Sequence, residues 1–155
     1  MNFNKEDILL SHKRIASWIH NTPVLTSGSI NQISGADLFF KCENFQKIGA
    51  FKMRGALNAV LSTSKENSLK GFVTHSSGNH AQAVALSSKI ANTKAYIVMP
   101  KGAPKIKIKA VKEYGAEVTL CENNERSRTD TCEKIINETG ANFIHPYDND
   151  KVILG

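Results

Sequence analysis

From Gly71 onward the sequence alternates short β-prone runs with helical stretches, and this beat limits the possible folds more than any other feature. GFVTH comes first, followed by a helical stretch from Asn79 to about Ala91. KAYIVMP is next, with a helix from Ala103 to Tyr114 behind it. Pro104 falls in the first turn of that helix, where a missing N–H costs nothing, and Gly115 serves as its stop. AEVTLC, a helix from about Glu125 to Thr139 ended by Gly140, and NFIH complete the series. Strands separated by helices of roughly 12–15 residues form βαβ units and pair in parallel. Tyr96, Ile97, Val98 and Met99 are apolar at consecutive positions, as in a strand covered by helices on both faces. The expected fold is therefore α/β, a doubly wound parallel sheet with its ligand site at the carboxyl ends of the strands.

The segment before this beat reads differently. Ile8, Leu9, His12, Ile15, Ala16 and Ile19 recur at helical spacing. NTPVLTS reads as a turn into an extended run and LFFKCE as a strand, and a helix from Phe51 to about Ser62 carries Ala56, Leu57, Val60 and Leu61. At the far end an apolar stretch begins at VILG, with no further helix to cover it.

Composition removes several classes of function. With 41% hydrophobic and 22% charged residues among 155, the chain is an ordinary globular sequence. It lacks the run of about 18 apolar residues that a membrane span needs. MNFNKEDILL carries acids where a secretory signal needs a basic start, which points to the cytoplasm. The net charge of +6 owes part of its excess to KGAPKIKIKAVK. There Lys105, Lys109 and Lys112 fall on one helix face, and Ile106, Ala110 and Val111 on the other, so the charge reads as a solvated face and not as a nucleic-acid site. Cys42, Cys121 and Cys132 form no C-x-x-C pair and read as small buried or half-buried thiols. His12, His20 and His145 have no ligand spacing, so no metal site is expected.

Two segments carry chemistry. The first is F-Q-K-I-G-A-F-K-M-R-G-A, Phe45 to Ala56. A lone lysine such as Lys52 is usually a solvated surface group, and a neighbouring arginine adds nothing. Its placement at a helix N-terminus is more telling, because the positive end of the helix dipole favours the neutral amine that imine formation requires. The second is H-S-S-G-N-H-A-Q-A, His75 to Ala83, between a strand and a helix. Its small residues leave backbone N–H groups free to seat a carboxylate or phosphate. The same residues also make an ordinary helix cap with a glycine turn, and composition does not choose between the two. His80 reads as a satisfied histidine in the first helical turn.

Together the two segments resemble a known family. G-A-F-K-M-R-G-A-L-N-A is similar to the cofactor-lysine motif of fold-type II pyridoxal-phosphate enzymes, and S-S-G-N-H-A-Q to their asparagine loop. The likeness continues through V-M-P-K-G-A-P-K-I-K, Y-G-A-E-V and H-P-Y-D-N-D-K-V-I, in order over essentially the whole chain. The family includes the serine racemases and the serine/threonine dehydratases, and within it the chain looks closest to serine racemase and threo-3-hydroxyaspartate dehydratase.

The resemblance implies a tryptophan synthase beta-like fold with pyridoxal 5'-phosphate as cofactor. Residues 1–68 would begin a large cofactor-binding domain, 69–148 would form a complete small α/β domain, and 149–155 would return to a large domain that is truncated here. Lys52 would bond covalently to the cofactor aldehyde, with Phe51 beside the ring and Asn79 at its 3-oxygen. Ser76, Ser77, Gly78, Asn79 and His80 would hold the substrate carboxylate. Ser77 would carry a proton on the face opposite Lys52, and Arg128 and Tyr147 fall near the substrate side. The implied reaction is β-elimination of a β-hydroxy amino acid to a 2-oxo acid and ammonia, with serine racemisation as a second outcome, in a homodimer when full length.

Two departures bear on this. Ala50 stands where many relatives carry serine, so that hydroxyl is not needed for the imine chemistry. Threonine-specialised dehydratases commonly read Ser-Ala-Gly-Asn in the loop, so Ser77 leans toward the racemase and hydroxyaspartate branch. The glycine-rich loop by which the family grips the cofactor phosphate has no counterpart in these residues. The alternative is thus a catalytically incompetent fragment that serves as a folding or interaction module.

Overall fold

The computed structural model describes residues 3–155. Helix α1 (Lys5–Ile15) opens with a reciprocal cap: the Asn4 side chain accepts the Asp7 N–H, and the Asp7 carboxylate accepts the Asn4 N–H. Only Ser11 and Ile15 of this helix are buried, and Ile8 and Leu9 of the expected apolar face lie in water. Strand β1 (Val24–Leu25), helix α2 (Gly28–Ser34) and strand β2 (Phe40–Lys41) follow, and the two strands pair antiparallel. Two single 3₁₀ turns, Glu43–Phe45 and Lys47–Gly49, lead into α3 (Lys52–Leu61), and α4 (Lys65–Leu69) closes this part.

The repeating part then runs β3 (Phe72–His75), α5 (Asn79–Ile90), β4 (Ala95–Pro100), α6 (Lys105–Glu113), β5 (Glu117–Cys121), α7 (Glu125–Thr139), β6 (Asn142–Phe143) and α8 (Asp150–Leu154). All pairings in the sheet are parallel, in the order β5-β4-β3-β6. Adjacent side chains of each strand point to opposite faces. On one face Phe72, Ile97 and Met99 pack with Ala56 and Val60 of α3, Ala81 and Val84 of α5, and Val111 of α6. On the other, Val73, Tyr96 and Val98 pack with Cys132 and Ile135 of α7. The doubly wound arrangement follows from that alternation. Part of the first cover comes from α3, which lies against α5, so residues on both sides of position 68 share one core.

Several local expectations need correction. Pro104 is the cap preceding α6, with φ −56° and ψ 131°, and not a residue of its first turn. Its carbonyl accepts the Lys107 and Ile108 N–H groups. Ile106 is 76% exposed, while Ile108 and Val111 turn inward. Five positions separate Ile106 from Val111, about 140° around a helix, so the two cannot share a buried stripe. The run NFIH pairs over Asn142 and Phe143 alone. The stretch at VILG is itself helical: Asn149 caps α8, whose Val152 packs against the main core. Its close approach to α3 needs glycine, since a Cβ on Gly55 would lie 2.3 Å from the Val152 carbonyl oxygen.

Candidate active site

The turn before Lys52 is tightly wound. Ile48 and Gly49 both take left-handed conformations, with φ 60° and 70°, and this reversal turns the chain into α3. A β-branched residue resists that region, so surrounding contacts must hold Ile48 there. Its side chain packs against both the α3–α5 core and the cluster of Ile15, Met53 and Leu57. The turn is also fixed from outside. Arg54 donates two hydrogen bonds of 2.7 Å to Glu43, whose carboxylate also accepts the Thr22 hydroxyl at 2.6 Å. The Arg54 guanidinium holds the Glu43 carboxyl well below its ordinary value of 4.5, down to about 2, against the opposing effect of burial.

Lys52 is the first residue of α3 and is half-buried. Its Nζ donates to the Pro146 carbonyl at 2.5 Å and lies 5.3 Å from the centre of the Phe51 ring. Phe51, Lys52, Gly55, Pro146, Tyr147 and Val152 border a cavity of about 270 Å³. The Phe51 ring is largely exposed.

The loop from Ser76 to Asn79 leaves β3 at its carboxyl end, where an open α/β sheet places ligands. The Ser76 N–H donates to the Val98 carbonyl, and the Gly78 N–H to the Ser76 hydroxyl oxygen at 3.2 Å. Gly78 stands at the N-cap position and no side chain among the described residues caps α5, so Ser-Ser-Gly-Asn gives the glycine turn without a side-chain cap. The first N–H groups of a helix have no intrahelical acceptor, and here no cap occupies them. Ser77 and Asn79 are exposed, and Ser76 and Gly78 half-buried.

His80 is 3% exposed. Its Nε2 lies 3.2 Å from the Ile144 carbonyl oxygen, which only accepts, so Nε2 carries the proton. Its Nδ1 is buried with no partner among the described residues, so the expected satisfied histidine is satisfied there at one nitrogen only. Burial pushes its pKa down to about 4, and the nearby Lys52 charge acts in the same direction, so the ring is neutral at pH 7. The Thr74 hydroxyl donates to the same Ile144 carbonyl at 2.7 Å.

Three elements thus meet on the segment Ile144–Pro146: Thr74 from β3, His80 from α5 and Lys52 from α3 all bond to it as it leaves β6. Lys52 and His80 are brought together. No hydrogen bond links Lys52 with Ser77 or Asn79 among the described residues. Arg128 Nη2 donates to Asn123, and the Tyr147 ring stands edge-on to His145 at 4.4 Å. The carbonyls of Ile144 and Pro146 escaped the sequence reading, because a backbone acceptor leaves no side-chain signature. Their signal was indirect, in the short strand followed by His-Pro-Tyr.

No helix among the described residues is long and apolar enough to cross a membrane. No group of three or more potential ligand side chains is placed to hold a metal among the described residues.

Comparison with known proteins bears on the family and the fold. The chain is 55% identical over 145 residues to serine racemase from Arabidopsis thaliana, covering 94% of this chain and 44% of that protein. It is 46% identical over 150 residues to beta-hydroxyaspartate dehydratase from Paracoccus denitrificans, covering 97% and 48%. The crystal structure of serine racemase from Dictyostelium discoideum superposes with a TM-score of 0.93 at 49% identity, covering 97% of this chain and 49% of that one. The chain therefore spans about half the length of the curated relatives it matches. Residues 15–155 match the family described as pyridoxal-phosphate dependent enzyme, and the chain belongs to that family.

Proposed function

We propose that the protein containing this chain converts a β-hydroxy amino acid (serine, threonine or 3-hydroxyaspartate) to a 2-oxo acid and ammonia, and racemises serine through the same early steps. The observation that carries this reading is the Lys52 amine, half-buried at the N-terminus of α3 and turned to the Pro146 carbonyl at a cavity edge. A primary amine beside an open cavity suits an aldehyde cofactor, and the uncapped start of α5 suits a carboxylate, so the residues present fit the group.

Lys52 would anchor the cofactor, with Phe51 beside its ring and Asn79 at its 3-oxygen. When bound, pyridoxal phosphate spreads the negative charge that forms at the α-carbon. Lys52 removes the α-proton on one face. The loop of Ser76, Ser77, Gly78, Asn79 and His80 seats the carboxylate through the N–H groups of Ser77, Asn79 and His80 and the Ser76 hydroxyl, while the Ser76 and Gly78 N–H groups hold the loop itself. The β-hydroxyl leaves as water, and water then releases ammonia to give the 2-oxo acid. The exposed Ser77 hydroxyl returns a proton on the opposite face, which gives the enantiomer instead. A homodimer in the cytoplasm is the expected setting, and three free cysteines suit a reducing compartment.

The test uses the full-length protein. Lys52→Ala should abolish both reactions, and turnover within about tenfold of wild type removes Lys52 from this role. Ser77→Ala should suppress racemisation and D-substrate use by about 10²–10⁴-fold and L-substrate elimination much less. Equal loss of both reactions, or no loss of either, removes Ser77 from the mechanism.

A further inference from the structure

A lysine amine rides on a long flexible stem, yet that of Lys52 is tied to one backbone oxygen, the Pro146 carbonyl, at 2.5 Å. That oxygen belongs to a segment whose backbone is fixed on both sides. Upstream, the Ile144 N–H donates to the Val73 carbonyl at 2.9 Å. The Ile144 carbonyl accepts the Thr74 hydroxyl at 2.7 Å and the His80 Nε2–H at 3.2 Å. Downstream, His145 Nδ1 accepts the Tyr147 and Asp148 N–H groups at 3.3 and 2.8 Å. Between them Pro146 has its φ locked by its own ring and no N–H to satisfy. Strands β3 and β6 pair only as far as Phe143, so past the Ile144 N–H bond the support of the segment passes to the Thr74 and His80 side chains.

One donor is enough to satisfy a buried carbonyl, and this one receives two. Thr74 has no exposed surface and His80 keeps 3%, while the other ring nitrogen of His80 has no partner among the described residues. An unpaired buried nitrogen costs free energy, so the chain keeps the Ile144 bond at the expense of the other side of the ring. A carbonyl can only accept, so Pro146 takes an N–H of Lys52 and leaves the lone pair of the neutral amine free. That lone pair adds to an aldehyde carbon: a C=N bond replaces the C=O bond, and the oxygen leaves as water with both amine hydrogens. We propose that Thr74 and His80 are positioning residues for Lys52. They grip the Ile144 carbonyl and so hold the Pro146 carbonyl as the seat of the Lys52 amine at the cavity edge, where it bonds to the cofactor and returns after substrate has displaced it. This role rests on Lys52 being the cofactor lysine.

The test uses the full-length protein freed of cofactor. Pyridoxal 5'-phosphate is added, and the rate of bond formation with Lys52 is followed by absorbance. Pyridoxine 5'-phosphate, with an alcohol in place of the aldehyde, reports binding without the bond. Thr74→Val keeps nearly the same shape without the donor, and His80→Leu removes both ring nitrogens. Each should slow bond formation about tenfold or more, as expected for a displaced reacting atom, and change the affinity for pyridoxine 5'-phosphate less than about threefold. Thr74→Ser and His80→Gln, which keep a donor for the Ile144 carbonyl, should stay within about threefold of the wild-type rate. Imidazole nitrogen resonances of the wild type, which need no variant to fold, should show His80 protonated at Nε2 and bare at Nδ1. A bare Nε2, an unchanged or faster rate in Thr74→Val, or equal loss of rate and affinity overturns the proposal. Lys52→Ala should form no bond. A bond formed there at the wild-type rate overturns the reading of Lys52 itself, and this role with it, whereas the other failures leave Lys52 as the anchor.

Discussion

Phe72, Val73, Ile97, Val98 and Met99 of β3 and β4 are fully buried, whereas Val24, Leu25, Phe39 and Phe40 around β1 and β2 are 40–72% exposed. The inner strands β3 and β4 are covered on both faces by helices, α3 among them, so burial holds them. The N-terminal segment is attached to α3 by one small apolar cluster, Ile15 with Met53 and Leu57, and by directed polar contacts. Glu43 clasps Arg54 and Thr22, and Gln46 bonds to both the N–H and the carbonyl of His20. Asn58, fully buried, accepts from Arg14 and donates to the Lys151 carbonyl, which ties α1 and α8 to α3. Burial is non-directional and scales with apolar area, while each polar clasp depends on geometry and on charge state. The two regions should therefore respond to different insults.

The largest expected effect is in the sheet. Phe72 has no exposed surface and packs in the core shared by α3, α5 and α6. Phe72→Ala should cost about 3–5 kcal/mol, from lost transfer energy and the cavity left behind. Urea denaturation followed by circular dichroism measures it. A loss below about 1 kcal/mol would mean that the sheet core is loose and the contrast between the regions is wrong.

The same difference decides what the sequence revealed. Where periodicity, burial and capping agree, the reading reached single residues: α7 begins at Glu125 and ends at Thr139, with Gly140 at φ 70° as its stop. Consecutive apolar residues identified β4 for the same reason, since both its faces are covered. The Ile144 carbonyl is shared by Thr74 and His80 side chains at distance 70 and 64 in sequence, and no local pattern encodes that. Ile48 at φ 60° contradicts its own propensity, so only tertiary contacts reveal the turn before Lys52. In α1 the helical spacing was real, but periodicity reports an apolar stripe and not what covers it. Lys52 and the Ser76–His80 loop were legible through family motifs, whereas the polar ledge that joins them was not.

The next effect sharpens the comparison through pH. The Glu43 carboxyl has its pKa lowered from 4.5 to about 2 in the folded chain, chiefly by the Arg54 hydrogen bonds. A lowered carboxyl stabilises the fold above the unfolded value and loses that contribution as pH falls through the folded one. The stabilising effect is thus complete above pH 4.5 and fades between 4.5 and 2. Allowing for solvent screening, Glu43→Gln should cost about 1–2 kcal/mol at pH 7 and flatten the acid limb of the stability curve. Stability measured from pH 7 to pH 2 on both proteins checks this. An acid limb of the same slope in the variant would show that another group titrates.

The smallest effect tests whether apolar residues in the N-terminal segment contribute burial at all. Leu9 follows the helical spacing of α1 yet keeps 50% of its surface in water, and Ile15 makes that helix's contact with Met53 and Leu57. Leucine and glutamine have similar helix propensities, so Leu9→Gln changes exposure chemistry and little else. The substitution should shift stability by no more than about 0.5 kcal/mol in the 155-residue chain, in contrast to Phe72→Ala. The measurement is the same urea midpoint, taken at two protein concentrations at least about tenfold apart, because mass action exposes a second copy seated on the helix. A cost above about 2 kcal/mol that disappears on dilution would mean that α1 is covered by another molecule of the chain. The same cost at both concentrations would mean that Leu9 is packed within one chain, and the division between a buried sheet and a clasped N-terminal segment would fail at its weakest point.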